Sequence, residues 1–391
     1  MIPDRLPDAG WRLSAPVRAV VAALDGGGGR IRFVGGCVRD ALLGLAPQDI
    51  DIATTERPER VMQRAKAAGL AVIPTGLAHG TVTVIADHCP VEVTTLRHDL
   101  ETDGRHATVA FTDDWAADAA RRDFTINAIY ADPDGTLFDP VGGRADLADG
   151  RVRFIGEARD RLTEDYLRGL RFFRFHARFA RGPADDAALE AISALREGLR
   201  RLSAERVSGE LLKILGLPRA PEAVALMQGT GVLDVILPEA GAPGLARLAM
   251  AHDAGAGDGL LLLAALLPDE PAVAHVVAKR LRLSRAEEGR LAAALDPVDL
   301  AGERKALVYR RGRQAVRDRL MLTGRAAELP ALAALTVPEL PIKGADLVAL
   351  GAPKGPAIGK ALAAVEAWWL AAGLAPDRAA CLAEARRHLG L

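Results

Sequence analysis

Cysteine and aromatic side chains are scarce in this 391-residue chain, with three Cys and only 4% Phe, Trp and Tyr together. Cys37, Cys89 and Cys381 are odd in number and far apart, which excludes a disulfide framework and a cysteine-built zinc module. Long apolar runs are missing too. The longest uncharged stretch, Ala67 to Ala86, is interrupted by Pro74, Gly76, His79 and Gly80, so no membrane span is expected. The opening MIPDRLPDAGW carries two Asp and no apolar run, so no secretory signal is expected and a soluble, cytoplasmic protein is the default. Lysine is rare, at 7 against 43 Arg, and the 50 basic and 51 acidic residues leave a formal charge of −1. A neutral total does not exclude a nucleic-acid partner, because binding needs only a local basic face. What is present is an ordinary globular balance, half apolar and about a quarter charged, in a chain long enough for two to four domains.

The β signal is confined to the first 150 residues. A short amphipathic helix (Val17, Val20, Val21, Leu24) runs into the glycines Gly26 to Gly29. Strands are expected at 31–34, 49–53, 81–85 and 90–96, where β-branched residues recur, with a helix over 37–45. From about Asp160 the pattern becomes Leu- and Ala-rich and helical, punctuated by prolines from Pro218 to Pro376. The expected class is therefore α+β, a mixed sheet with helices followed by an all-helical remainder.

The candidate chemistry begins with carboxylates. Asp49 and Asp51, at i and i+2 in an expected strand, project from one face and repel unless a cation lies between them. That arrangement suits Mg²⁺, which takes one or two protein carboxylates plus substrate phosphates. Glu92 alternates with Val91 and Val93 in a later strand and supplies a third carboxylate, unless it merely faces solvent. The Gly35-Gly36 turn between a strand and a helix carrying Arg39 would let backbone N–H groups approach a phosphate. Two stretches are strongly basic. Arg151 to Arg181 holds nine Arg against four acids, and Arg304 to Arg325 holds eight basic residues against Asp318 alone.

The ordered set F-V-G-G-C-V-R-D-A-L-L-G (33–44), D-I-D-I-A-T (49–54), I-P-T-G-L-A-H-G-T-V-T-V (73–84), E-V-T-T-L-R (92–97), R-R-D-F-T-I-N-A (121–128), D-P-V-G-G (139–143), E-D-Y-L-R-G-L-R-F-F-R-F (164–175) and E-R-V-S-G-E-L-L-K-I-L (205–215) resembles the class II tRNA nucleotidyltransferase and poly(A) polymerase family. The resemblance implies a polymerase-β-type nucleotidyltransferase head followed by helical neck, body and tail. It gives an N-terminal helix and glycine linker (1–30), a head (31–150), a neck (151–217), a body (218–270) and a tRNA-binding tail (271–391). It assigns Asp49 and Asp51 to Mg²⁺, and Gly36 and Arg39 to the triphosphate; Glu92, read from its place in the strand, joins the two aspartates as the third expected catalytic carboxylate. Arg122, Asp123 and Asn127 inherit ribose and phosphate contacts. The implied reaction adds two CMP and one AMP, from CTP and ATP, to a tRNA 3′ end with release of pyrophosphate.

The resemblance also implies that Asp165 and Arg168, helical neighbours at i, i+3, replace a nucleic-acid template. The chemistry agrees. Cytosine and adenine each present an amino donor beside a ring-nitrogen acceptor, which a carboxylate and a guanidinium satisfy together. Uracil and guanine present the reverse order, and leaving such groups unpaired costs about 1–3 kcal/mol each. The plain alternative is a surface salt bridge. Arg171 and Arg174 follow toward base or phosphate, while Phe172, Phe175 and Phe179 read as core. Residues 97–112 read as a flexible loop that switches the pocket between nucleotides, with His106 where relatives have Pro. Arg310, Arg311 and Arg313 are candidates for tRNA phosphates. Rival readings are an A-adding or poly(A)-synthesising enzyme, a catalytically dead nucleotide-binding regulator, and a metal phosphohydrolase built on His252-Asp253 with Asp269 and His275.

Overall fold

The computed structural model describes all residues except 1, 9, 26–27, 29, 103–106, 354 and 391, and describes 99–102 and 107–109 by their backbone alone. Contacts divide the chain into two units, Met1–Pro238 and Glu239–Leu391. That boundary falls inside the 218–270 segment expected as a separate body.

The first unit is built on a seven-stranded sheet in the order β3-β4-β5-β2-β1-β8-β9. The strands are β1 (Ile31–Val34), β2 (Asp51–Thr54), β3 (Ala71–Gly76), β4 (Thr81–Ala86), β5 (Cys89–Thr95), β8 (Tyr130–Ala131) and β9 (Leu137–Phe138). All pairings are antiparallel except β2 with β5, which are parallel. β3 escaped the sequence pattern because it lies at the sheet edge, largely exposed, and contains Pro74, which only an edge tolerates. The expected loop over 97–112 is instead a hairpin, β6 (Arg97–Thr102) with β7 (Ala107–Phe111), forming its own two-stranded sheet. Gly26, Gly27, Gly29 and His106 lie outside the described residues.

Helices α1 (Ala15–Asp25), α2 (Gly36–Leu42), α3 (Pro58–Ala67), α4 (Trp115–Ala120) and α5 (Gly143–Asp149) accompany the sheet. α1 buries Val17, Val20 and Leu24, the spacing expected of its apolar stripe. α5 explains the D-P-V-G-G stretch. Asp139 accepts hydrogen bonds from Gly143 N at 2.8 Å and Arg144 N at 2.9 Å, capping the helix, while Gly142 takes a left-handed turn at φ 76°. Gly143 then packs flat on the 3₁₀ turn Thr125–Asn127. A Cβ there would overlap the Thr125 carbonyl oxygen and lie 2.8 Å from its carbon and 2.9 Å from Ile129 Cγ1.

Helices α6 (Ala158–Glu164), α7 (Leu167–Phe179), α8 (Asp186–Leu195), α9 (Ala204–Leu215), α10 (Ala220–Gly229) and α11 (Val232–Ile236) complete the first unit. α7 drives Phe172 and Phe175 into the core against Phe124 and Phe154, as expected of core rather than stacking aromatics, whereas Phe179 is only half-buried and lies against the Arg39 guanidinium. The second unit is all-helical among its described residues. Arginines pair with acids across its helices: half-buried Arg290 reaches Asp258 at 2.7 Å and Asp318 at 2.9 Å, and buried Arg319 reaches Asp269 at 2.8 Å. No helix of the described residues is long and apolar enough to cross a membrane.

Gly143 has no room to give, since the atoms in its way are backbone and core. Gly143→Ala should cost about 1–3 kcal/mol, the scale of overpacking a core. Denaturant unfolding checks this; a variant within 0.5 kcal/mol of the parent, on the order of a neutral surface change, would show that the 3₁₀ turn can yield.

Candidate active site

Three carboxylates meet at the junction of β2 and β5. The parallel register sets Asp51 directly beside Glu92, so both side chains leave the same face of the sheet. Asp49 is not part of the strand as expected. It is exposed on the lead-in, because β2 begins only at Asp51, where it pairs with β5, and pairing with β1 follows from Ile52. Glu92 is likewise exposed. Burial first, then the charge of Glu92 and of Asp49, push the Asp51 carboxyl up to about 6, against the pull of Arg122 and Arg39. A divalent cation is the counter-charge this donor set asks for. Among the described residues no three His, Cys, Asp or Glu side chains close around a metal unaided. Asp51 and Glu92 are the carboxylates that the strand register itself brings together.

The two-glycine turn stands over this cluster. Gly35 has φ 74°, a conformation side chains rarely adopt, and a Cβ built there would point 3.7 Å from Asp51 Oδ2 and 3.8 Å from Arg122 Nη1. The space between the acid and the arginine thus stays open because residue 35 is glycine. Arg122 is held by Asp118, at 3.1 Å from Nη2, and by the Tyr130 hydroxyl, at 3.1 Å from Nε. Tyr130 in turn donates to Asp118 Oδ2 at 2.7 Å. Asp118 and Tyr130 went unnoticed in the sequence, although D-x-x-R-R (118–122) is the i, i+3 and i, i+4 spacing at which helical charges meet.

Arg39 is almost wholly buried beneath the turn rather than projecting into it. Its guanidinium donates to Asp40 Oδ1 at 2.8 Å and to Asn127 Oδ1 at 2.5 Å, and lies 4.2 Å from the Phe179 ring centroid. Asn127 donates to Asp123 Oδ1 at 3.0 Å, and Asp123 Oδ2 accepts from Arg171 Nε at 2.8 Å. A continuous buried chain, Arg39–Asn127–Asp123–Arg171, therefore ties the glycine turn to α7. Arg122 and Asp123 are not paired with each other. Arg174 is held by Glu210 of α9 at 2.6 Å.

The 164–175 stretch is not one helix. Asp165 is extended, at φ −155° and ψ 105°, and separates α6 from α7. Its Oδ1 accepts from Leu167 N at 3.1 Å, the local side-chain bond by which Asp starts helices instead of continuing them. Asp165 and Arg168 accordingly form no ion pair. Asp165 Oδ2 accepts from Arg206 of α9 at 2.6 Å, whereas Arg168 pairs with Glu164 and donates to the carbonyls of Arg161 and Arg121 at 3.1 and 3.0 Å. These bonds use three of the five guanidinium donors and leave each carboxylate oxygen a lone pair.

Elsewhere the expected groupings do not assemble. His275 pairs with Glu288 at 2.8 Å, Asp269 with Arg247 and Arg319, and His252 lies 3.8 Å from Asp253; among the described residues these side chains are not brought together around a metal. In the Arg304–Arg325 stretch, Arg311 pairs with Asp296, and Arg313 caps carbonyls including Leu335 O at 2.6 Å. Arg310 is exposed and has no protein partner among the described residues.

A mixed sheet bearing paired acids, a two-glycine turn and arginines beside them defines a nucleotidyltransferase head. Residues 31–153 match the poly A polymerase head domain, and 185–242 match the probable RNA and SrmB-binding site of polymerase A. The chain belongs to the tRNA nucleotidyltransferase and poly(A) polymerase family. The mouse mitochondrial CCA tRNA nucleotidyltransferase 1 is 46% identical over 221 residues, covering 56% of this chain and 50% of that protein. The CCA-adding enzyme of Geobacillus thermodenitrificans is 39% identical over 230 residues, 58% and 54% of the two chains. These matches span about half the length of those relatives. The crystal structure of the Bacillus stearothermophilus CCA-adding enzyme in complex with CTP superposes with a TM-score of 0.73 at 30% identity, over 94% of this chain and 95% of that one.

Burial opposes the charge of Asp118 and Asp123, yet their arginine and hydrogen-bond partners hold both carboxyls at about 2. Both lie below the unfolded aspartate value of about 3.9. Each binds its proton less tightly folded than unfolded, so its stabilisation is complete above pH ~4 and lost as pH falls toward 2. Asp118→Asn should flatten the fall of stability between pH ~4 and ~2 by on the order of 2 kcal/mol. Acid unfolding followed by circular dichroism reads this, and a slope equal to the parent's would detach Asp118 from the network.

Proposed function

We propose that this protein adds CMP, CMP and AMP to the 3′ end of tRNA by Mg²⁺-dependent nucleotidyl transfer. The observation that carries the reading is the buried chain from Arg39 to Arg171. It ties the glycine turn, suited to phosphates, to α7, whose N-terminal end is suited to a base, and so supports reading the two as one site. Asp49 and Asp51, with Glu92 beside them, would hold the ion, which when bound lowers the pKa of an attacking hydroxyl and offsets charge on the pyrophosphate. The tRNA 3′ oxygen attacks the α-phosphorus as the bond to the departing pyrophosphate breaks. Gly36 N–H and Arg122 face the phosphates, while Arg39 supports the turn from below. Asp123 and Asn127, locked to each other, are placed beside the ribose.

Base choice rests on Asp165 and Arg168 in this reading. The free lone pairs of Asp165 accept from the amino group of C or A, and the remaining donors of Arg168 reach the ring nitrogen. Arg171 and Arg174 serve chiefly to hold α7 to the head and to α9. The CTP in the Bacillus stearothermophilus structure and the names of the curated relatives support CTP and ATP as substrates and tRNA as partner. The A-only and poly(A) alternatives share the head and differ in product. We further propose a cytoplasmic location and the five-part division from N-terminal helix to tail. Arg310 is the strongest of the three tail arginines for phosphate contact, since Arg311 and Arg313 hold protein partners.

Two measurements test this. Asp51→Asn should lower CMP and AMP transfer by more than a hundredfold, about 2.7 kcal/mol of transition-state stabilisation. Because a carboxyl raised to about 6 is destabilising when ionised, the same change should raise the melting temperature of the metal-free protein at pH 8. A variant retaining over a tenth of the rate would remove Asp51 from catalysis.

The second uses tRNA lacking its CCA end with each of four labelled nucleoside triphosphates. Arg168→Ala and Asp165→Ala should each reduce the CTP/UTP and ATP/GTP preferences by about 5- to 150-fold, that is 1–3 kcal/mol. Equal slowing with all four nucleotides would return the pair to a structural role.

A further inference from the structure

The turn that carries Asp165 is held from outside by one short segment of chain. Between α8 and α9 runs the 3₁₀ helix Arg196–Arg201, and Gly198 within it faces the ring of Tyr166. A Cβ on Gly198 would overlap Cδ1 and Cε1 of that ring and come to 2.5 Å from Cζ. The Arg201 guanidinium lies 5.7 Å from the same ring centroid. Five residues further on, Arg206 takes the Asp165 carboxylate at 2.6 Å. Tyr166 sits between Asp165 and Leu167 in sequence, so its ring is seated directly beside the backbone that carries Asp165 into α7.

We propose that Gly198 is a positioning residue for nucleotide choice. It is a flat seat for Tyr166 that holds the α6–α7 turn at the depth where Asp165 meets Arg206 and Arg168 meets Glu164. This rests on the base-reading role proposed for Asp165 and Arg168. Gly198 needs to be glycine for space. Its backbone lies outside the left-handed region, unlike Gly35, so alanine is excluded by the ring alone. The seat uses the ring face and not the hydroxyl, for which no hydrogen-bond partner exists among the described residues. An added methyl must displace the ring, and in this proposal the turn shifts with it instead of the ring alone rotating away. Displacing two hydrogen-bonding groups relative to a base affects selection among bases more than phosphate contacts made elsewhere.

The test compares Gly198→Ala with Tyr166→Phe and with Gly182→Ala, a glycine with nothing within 4 Å of its Cβ position. Crystal structures of parent and Gly198→Ala report the Asp165–Arg206 contact, and competition between CTP and UTP on tRNA lacking its CCA end reports selection. Gly198→Ala is expected to break the contact and lower CTP/UTP preference at least fivefold. Tyr166→Phe and Gly182→Ala should leave both unchanged. If Gly198→Ala does not fold, Tyr166→Leu, which removes the ring without adding bulk, carries the same expectation. An intact contact, or a broken contact with unaltered preference where Asp165→Ala does alter it, overturns the seat. Asp165→Ala with unaltered preference overturns the base-reading role itself, and the crystallographic comparison then still decides whether Gly198 positions the turn.

Discussion

Moving an arginine out of water costs several kcal/mol unless its donors are met, and Arg39 lies with almost no exposure beneath the glycine turn. Every other feature of the site follows from how that cost is offset. Asp40 takes one side of the guanidinium, Asn127 takes another, and the Phe179 ring covers its face. Asn127 can serve only if its amide is oriented, which Asp123 does. Asp123 remains ionised in the interior only because Arg171 and the N–H of Phe124 meet it, the latter at 2.8 Å. The chain ends on α7, the helix that follows Asp165.

This linkage gives a physical reason for the rigidity of the first unit. Breaking one member leaves a buried charge unmatched, which is far more costly than losing a solvated ion pair. A second polar group, Asp118 with Arg121, Arg122 and Tyr130, does the same on the other flank and holds Arg122 at the site edge. Between them the space over Asp51 stays open and electrostatically unbalanced. An acid cluster that would be a defect in a purely structural protein is, in the proposed function, the feature that a cation and a polyphosphate together would satisfy.

Segment 198–206 extends the same logic outward. It touches the α6–α7 turn twice, by shape at Gly198 and by charge at Arg206, and neither contact is local in sequence. The hinge at Asp165 is therefore over-determined: its own side chain caps α7 while α9 holds the opposite oxygen.

Much was legible in the sequence because it depends on local chemistry. The alternation around Val91 and Val93, the acids beside it, the glycine pair and the apolar stripe of α1 each carry their own periodicity. The ordered motifs made the family recognisable. What the sequence could not determine was pairing. Asp165 and Arg168 stand three residues apart and read as helical neighbours, yet they are held by Arg206 and Glu164, because a capping aspartate broke the helix and a distant arginine was better placed. Likewise Arg122 and Asp123 are neighbours in the chain, yet Arg122 turns to Asp118 and Asp123 to Arg171. In the second unit, a run of arginines that looked like an open basic face is largely matched by acids and carbonyls from other helices. Spacing along the chain states which groups could meet; which of them do is decided where desolvation makes an unmatched partner costly, and that depends on how the helices pack.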